Sequence, residues 1–164
     1  MEEMAARHAD RAVRSIFIYT REAHPGENYP HLTAMEQKRR HARAMRDTLG
    51  FKRQMLIDDL DGTVHRAYGA LPNMTWIVGR GGIIHYKAAW TNVADVEAAL
   101  TDSLYAADNR AKLGLMPFYA ERISWRTREA KGFRAGLERA GPKAVSDFFG
   151  KPLPAISPGA LDEG

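Results

Sequence analysis

The chain has 164 residues, of which 45% are hydrophobic and 27% charged, and its net charge is +4. This length and composition predict one folded domain with a substantial core, and they exclude a multi-domain machine, a disordered chain and a coiled coil. The longest apolar runs have four residues, far short of the roughly twenty that a membrane-spanning helix needs. There is no cysteine, which excludes disulfides, thiolate metal sites and thiol nucleophiles within these residues.

The beginning of the sequence does not have the pattern of a secretion signal. It reads MEEMAARHADRAVR, which starts acidic and alternates in charge, whereas a secretory signal starts basic and continues with an apolar stretch. We therefore expect a cytoplasmic protein with no membrane partner.

Short apolar segments alternate with helical patterns through the first two thirds of the chain. The order β-α-β-α-β-β-α that follows the first helix is an α/β pattern, and its closing hairpin and helix are typical of the C-terminal portion of a thioredoxin fold. The predicted elements, in chain order, are a helix over 2–12, a strand over 15–20, a helix over 33–49 with a capping box at Thr33 and Glu36 and a stop at Gly50, a strand over 54–57, a turn over 58–62 that caps a short helix over 63–68, strands over 75–78 and 83–86 around a glycine turn, and a helix from Asn92 to about Ala107.

The rest of the chain predicts a helical extension and a tail. We divide the sequence into a thioredoxin-like domain (1–107), a helical extension (108–150, with helices over 117–139 and 143–149) and a Pro/Gly-rich disordered tail (151–164). The extension has too many large apolar residues for a free tail, so it should dock as a lid or as a homodimer contact. These residues are Phe118, Ile123, Trp125, Phe133, Leu137, Phe148 and Phe149.

Two segments concentrate the basic residues. Residues 121–143 carry seven basic and three acidic side chains, which accounts for the whole net charge, and Lys38 to Arg40 with Arg43 and Arg46 form a basic helix face that should be exposed. Neither segment shows the aromatic interleaving or the motif of a nucleic-acid reader, so we expect solvated faces and no nucleic-acid partner.

The strongest chemical motif is Glu22-Ala-His24-Pro-Gly at the carboxyl end of the first strand, where open α/β sheets place their ligands. Residues i and i+2 of an extended segment face the same side, so Glu22 can orient the imidazole of His24 for proton transfer. The alternative is a loop histidine with a satisfied hydrogen bond. His41 could complete the cluster or lie on a helix surface. The remaining histidines lack metal-ligand spacing, and we predict neither a metal nor another cofactor.

The segments FIYTREAHPGE, HARAMRDTLG and LIDDLDGTVHRAYGALPNMTWIVGRGGIIHYKAAWT resemble the iodothyronine deiodinases and their bacterial redoxin-like relatives, over roughly residues 1–105. The resemblance implies a thiol or selenol oxidoreductase that works with an external dithiol reductant. It implies that Glu22, His24 and His41 form the proton-transfer cluster, and that Pro72, Asn73 and Trp90 bind substrate. Arg21 stands where the family has an acid and Trp90 where it has a basic residue, which favours another aromatic halide, or a peroxide, as substrate.

The resemblance also implies that a strand and the catalytic cysteine or selenocysteine are missing. The missing strand would be the central one, between residues 15–20 and 75–78, and without it two strand edges stay unpaired. Two hypotheses follow. The chain is the downstream, N-terminally truncated part of a redox enzyme, which we favour, or it is a non-catalytic thioredoxin-fold module that binds a partner protein through its open sheet.

Overall fold

The computed structural model describes residues 1–127 and 130–150, so the tail predicted over 151–164 lies outside the described residues. The described residues form two units. The first contains Met1–Arg21 and Thr33–Trp125, and the second contains residues 22–32, 126–127 and 130–150. The loop that follows the first strand therefore belongs with the C-terminal helices and not with the strands that flank it in sequence.

The first unit is a mixed α/β structure, which confirms the predicted class. Within the described ranges, no helix combines the length and the apolar character that crossing a membrane requires. The α-helices and strands of this unit are α1 (Glu2–Arg7), β1 (Ile16–Tyr19), α2 (Met35–Leu49), β2 (Gln54–Ile57), α3 (Thr63–Ala67), β3 (Thr75–Val78), β4 (Ile84–Ala88) and α4 (Val93–Leu113). Short 3-10 helices follow α1 (Ala9–Arg11) and β3 (Arg80–Gly82), so the single helix predicted over 2–12 is divided in two.

The four strands form two separate pairs. β1 and β2 are parallel, with Phe17 opposite Met55, whereas β3 and β4 are antiparallel, with Ile77 opposite Tyr86. The hairpin predicted around the glycine turn is therefore confirmed. Among the described strands β1 does not pair with β3, so both pairs keep unpaired edges.

Apolar side chains on these strands remain accessible to solvent. Ile16 on β1 and Leu56 on β2 are exposed, and so are Val78 on β3 and Ile84 on β4. Strands of a complete parallel sheet are covered on both faces, and their apolar residues are buried. The strands of this unit thus present apolar side chains that are only partly covered.

Glycine ends α2 where the sequence predicts it, but the predicted start of α2 and the predicted end of α4 are wrong. Gly50 and Gly114 end α2 and α4 with φ of 65° and 62°, a left-handed conformation that costs glycine little. The capping box of Thr33 and Glu36 does not form, because α2 begins at Met35 and the Thr33 N–H donates to the Gln37 side chain at 2.9 Å. Helix α4 continues past residue 107 because no helix breaker occurs before Gly114.

The second unit contains two helices, α5 (Ala130–Ala140) and α6 (Pro142–Phe149), which meet at Gly141 as predicted. The helix predicted to start at Pro117 is wrong in its first part, since residues 115–127 form no helix. Aromatic and β-branched residues follow Pro117, and these residue types lower helix propensity. The apolar residues predicted to dock differ in environment: Leu137 is 2% exposed and Phe133 is half-buried, whereas Phe118, Ile123 and Trp125 are almost fully exposed.

A carboxylate fixes α1 to the segment that leads into β2. Glu2 Oε2 accepts hydrogen bonds from the N–H groups of Lys52 (3.0 Å) and Arg53 (3.2 Å), and the Arg53 guanidinium pairs with Glu2 Oε1. Arg53 also donates to the Ser15 hydroxyl at 3.2 Å. Burial acts to raise the pKa of Glu2, but these hydrogen bonds outweigh burial and lower it below its ordinary value.

We expect Glu2→Gln to destabilise the protein at pH 7 and to make less difference at pH 3. The folded-state pKa of Glu2 lies below its unfolded value, so its contribution is present above the ordinary glutamate pKa and is lost as the pH falls. Urea unfolding at the two pH values measures this. Glu3→Gln, an exposed neighbour, is the control and should stay within about 0.5 kcal/mol of wild type. An equal gap between wild type and Glu2→Gln at both pH values would contradict the assignment.

Candidate functional site

Residues 22–32 are held at the corner between α5 and α6. The Asn28 N–H donates to the carbonyl of Ala140 and its side-chain amide donates to the carbonyl of Arg139, both at 3.0 Å. The Glu27 carboxylate accepts from the Lys143 N–H, with both oxygens at 3.0 Å. Asn28 therefore satisfies carbonyls at the end of α5, and Glu27 caps the beginning of α6, where a negative charge is favoured.

A glycine allows the loop to approach α5 closely. A Cβ at Gly26 would lie 2.3 Å from the Ala140 oxygen and 2.8 Å from its carbonyl carbon, distances that real side chains do not adopt. Gly26 is buried and closes a turn through its N–H to the Tyr29 carbonyl at 3.1 Å. The Pro25-Gly26 step of the motif therefore positions the residues before it, including His24.

The imidazole of His24 packs against two phenylalanine rings that also contact each other. It makes edge-to-face contacts with Phe133 on α5 and Phe148 on α6, with ring centroids 5.6 Å and 5.2 Å apart. The two phenylalanine rings are themselves 4.8 Å apart. Each such contact contributes on the order of 1 kcal/mol, so the three rings hold one another in place.

A pocket of about 390 Å³ opens beside this cluster, within the second unit. It is partly open to solvent, so it would enclose only part of a small ligand. Its walls are a mixture of aromatic, aliphatic and polar groups, and the Asp147 carboxylate among them is paired with the Lys143 ammonium. The lining residues are Ala23, His24, Pro25, His31, Ala144, Asp147 and Phe148.

The three residues assigned to proton transfer divide between the two units. Glu22 and His24 belong to the second unit, whereas His41 lies on α2 in the first. All three side chains are half-buried. The ring contacts of His24 were not predicted. They are aromatic, and they come from helices more than a hundred residues away in sequence.

The residues assigned to substrate binding lie in the first unit. Asn73 and Trp90 form an isolated β-bridge, and the Asn73 carbonyl accepts from the Thr91 N–H at 2.9 Å and from its hydroxyl at 3.1 Å. Trp90 is 62% exposed, and Pro72 is exposed beside Asn73. These three residues therefore form a small surface with one accessible aromatic ring.

A buried polar cluster between α2 and α3 was not predicted from the sequence. Lys38, predicted to lie on an exposed basic face, is 1% exposed and its Nζ donates to the Asp59 carbonyl at 2.6 Å, which corrects that prediction. Burial lowers the pKa of Lys38, and the nearby carboxylates of Asp58 and Asp59 oppose that shift. The turn over 58–62 does cap α3 as predicted, since Asp59 Oδ1 accepts from the Thr63 N–H at 2.9 Å. The adjacent acids Asp58 and Asp59 were the signal that a buried cation could be nearby.

No family model, curated protein or solved structure matches this chain.

Proposed function

We propose that this chain is the substrate-binding and proton-transferring part of a thioredoxin-like oxidoreductase similar to the iodothyronine deiodinases. The observation that carries the proposal is the pocket beside His24, which combines an aromatic wall with imidazole groups. Its proposed substrate is a small aromatic halide, and a peroxide is the alternative.

The pocket offers what a small aromatic ring with one polar group needs. The Phe148 ring supplies an aromatic edge, and the imidazoles of His24 and His31 supply hydrogen-bonding groups on the same cavity. Aromatic rings bind well against such edges, and a few placed polar groups fix their orientation. An aromatic halide with a hydroxyl group would pack its ring against Phe148 and hydrogen-bond to an imidazole.

The strands of the first unit support the thioredoxin-like part of the proposal. β1 and β2 are parallel and connected by α2, and an antiparallel hairpin is followed by α4. A parallel strand placed between β1 and β3 would join the two pairs into one sheet and would cover exposed apolar residues such as Ile16. We propose that such a strand carries the nucleophile, because residues 1–164 contain no cysteine.

The proposed reaction is a reductive dehalogenation. The carbon–halogen bond is replaced by a carbon–hydrogen bond, and the halogen leaves as halide. The two electrons come from two thiols, or from a selenol and a thiol, which are oxidised to a disulfide or a selenenyl sulfide and are regenerated by an external dithiol. The proposed proton donor is the imidazole of His24, which can act as a general acid.

A second candidate is a non-catalytic module that binds a partner protein through its unpaired strands. The exposure of Ile16, Leu56, Val78 and Ile84 favours it, because apolar strands with open edges are templates for pairing with another chain. In this case the pocket beside His24 would have no small ligand.

Binding can be tested without the nucleophile. We expect the full chain to bind 4-iodophenol and His24→Ala to weaken the Kd at least about tenfold, a loss of ~1.4 kcal/mol, because the variant removes both a hydrogen-bonding group and the ring that packs against Phe133 and Phe148. Isothermal titration calorimetry measures both. His85→Ala is the matched control, since His85 is exposed on β4 in the first unit, and it should leave the Kd unchanged.

Turnover gives the second readout. With 4-iodophenol and a dithiol reductant, the full chain alone should release no iodide, because a protein thiolate or selenolate is required and none is encoded. Iodide release by the chain alone would refute the proposal that the nucleophile lies outside residues 1–164. No binding of 4-iodophenol would refute the pocket's role and would leave the binding module as the better proposal.

A further inference from the structure

The segment between α4 and the second unit exposes an unusual amount of aromatic surface. We call residues 115–125 the strap; they belong to the first unit and form neither helix nor strand. Five of its large apolar side chains are 81–88% exposed, more than any other large hydrophobic residue in the described chain. They are Met116, Phe118, Tyr119, Ile123 and Trp125.

The area of the strap corresponds to an interface. Five side chains of this size expose roughly 700–900 Å² between them, given about 150–250 Å² for an aromatic residue. The largest apolar patch on an ordinary monomer is about 300–600 Å², whereas each partner in a standard interface contributes about 800 Å². The strap alone therefore supplies the surface that one partner of a stable complex buries.

The strap also carries a negative charge among its apolar side chains. The Tyr119 hydroxyl donates to the Glu121 carboxylate at 3.0 Å, so this carboxylate lies beside one of the exposed aromatic rings. The strap thus combines large apolar side chains with one carboxylate.

A matching apolar surface lies at the end of the β3–β4 hairpin, in the same unit. Val78 and Ile84 are paired across the hairpin and are 51% and 55% exposed, and Ile83 beside them is also 55% exposed. The turn contains Gly79, Gly81 and Gly82, which add no side chains that would cover these three residues, and an exposed Arg80. The hairpin end is therefore a three-residue aliphatic patch with one adjacent positive charge.

From these two surfaces we infer that the partner is a second copy of this chain, and that the strap of each copy covers the hairpin end of the other. The strap and the hairpin end are both mainly apolar, and Glu121 of the strap has the opposite charge to Arg80 of the hairpin. Because the strap and the hairpin end are on the same chain, a two-fold axis makes both contacts at once and doubles the buried area. This inference goes beyond the proposed function and does not depend on it.

The oligomeric state tests the inference. We expect the full chain to be a dimer by sedimentation velocity, and the double variant Phe118→Ser, Trp125→Ser to weaken the dimer Kd at least about tenfold, because buried aromatic residues dominate such interfaces. Tyr105→Ser is the control, since Tyr105 is 55% exposed on α4 and belongs to neither surface, and it should leave the dimer intact. A wild-type protein that stays monomeric at the highest concentration measured would overturn the inference.

Crosslinking tests whether the strap of one copy contacts the hairpin end of the other. The sequence has no cysteine, so a single replacement introduces a unique thiol. Mixing Tyr119→Cys protein with Ile83→Cys protein under mild oxidation should give mainly the mixed disulfide, which differs from each symmetric product by mass. If disulfides between two Tyr119→Cys chains predominate, the two straps contact each other, and the inferred contact between strap and hairpin end is refuted.

Discussion

Gly26→Ala is expected to abolish binding of 4-iodophenol and to release residues 22–32 from the α5–α6 corner. The added methyl would lie 2.3 Å from the Ala140 carbonyl oxygen, and this oxygen already accepts the hydrogen bond from Asn28. Relief of the clash requires movement of backbone and not of a flexible side chain. The cost is about 1–3 kcal/mol from overpacking, plus the loss of the hydrogen bonds that Asn28 makes.

Hydrogen exchange and calorimetry measure this effect. In the variant, the amides of residues 26–28 should exchange much faster and the heat of 4-iodophenol binding should disappear. Gly136→Ala is the matched control: Gly136 lies within α5, its new Cβ would meet nothing within 4 Å, and alanine favours a helix by roughly 0.5–1 kcal/mol. Wild-type exchange and binding in Gly26→Ala would show that the loop is not held as described.

Local sequence signals predicted most of the first unit. Short β-rich segments gave β1 to β3 within one residue, and the glycine turn between Val78 and Ile83 gave the hairpin. Gly50 predicted the end of α2, and Asn92 the start of α4, where its side chain accepts from the Asp95 N–H at 3.1 Å. These features depend on residues a few positions apart, so they can be read from a single sequence.

The packing partners of the predicted residues could not be found in this way. His24 stands out in the sequence because of its position after a strand, but Phe133 and Phe148 are more than a hundred residues away. The loop joins α5 and α6 through Asn28 and Glu27, whose side chains could equally have been solvated. No periodicity encodes such contacts, because they arise only when distant segments pack together.

Lys38 illustrates a second reason for failure. Its position in a run of basic residues indicates a solvated helix face, and Arg39 and Arg40 beside it are indeed exposed. The neighbouring position on a helix turns by about 100°, so one residue of a charged run can point inward when the core supplies partners. Here those partners are the Asp59 carbonyl and the carboxylates of Asp58 and Asp59, which the β2–α3 turn places close by.

The buried polar cluster should therefore be the most sensitive point of the first unit. Asp58 is 3% exposed, and one of its carboxylate oxygens accepts from the N–H groups of Asp59 (2.9 Å) and Val64 (3.0 Å). The other oxygen accepts from the His65 N–H at 2.9 Å. The Asp58 N–H donates to the Tyr19 carbonyl at 3.1 Å, which connects the cluster to β1.

We expect Asp58→Ala to lower the free energy of unfolding by roughly 3 kcal/mol, because it leaves buried N–H groups without acceptors and removes a negative charge near the buried Lys38 ammonium. Thermal unfolding measures this as a loss of about 2–4 °C per kcal/mol for a chain of this size. Asp61→Ala, an exposed acid in the same turn, is the control and should change stability by less than about 0.5 kcal/mol. The double variant Asp58→Ala, Lys38→Met removes both charges, so it should recover part of the loss if the unpaired ammonium is a cause. If the Asp58→Ala and Asp61→Ala variants lose equal free energy of unfolding, the buried carboxylate contributes no more than an exposed one, and it does not organise the first unit.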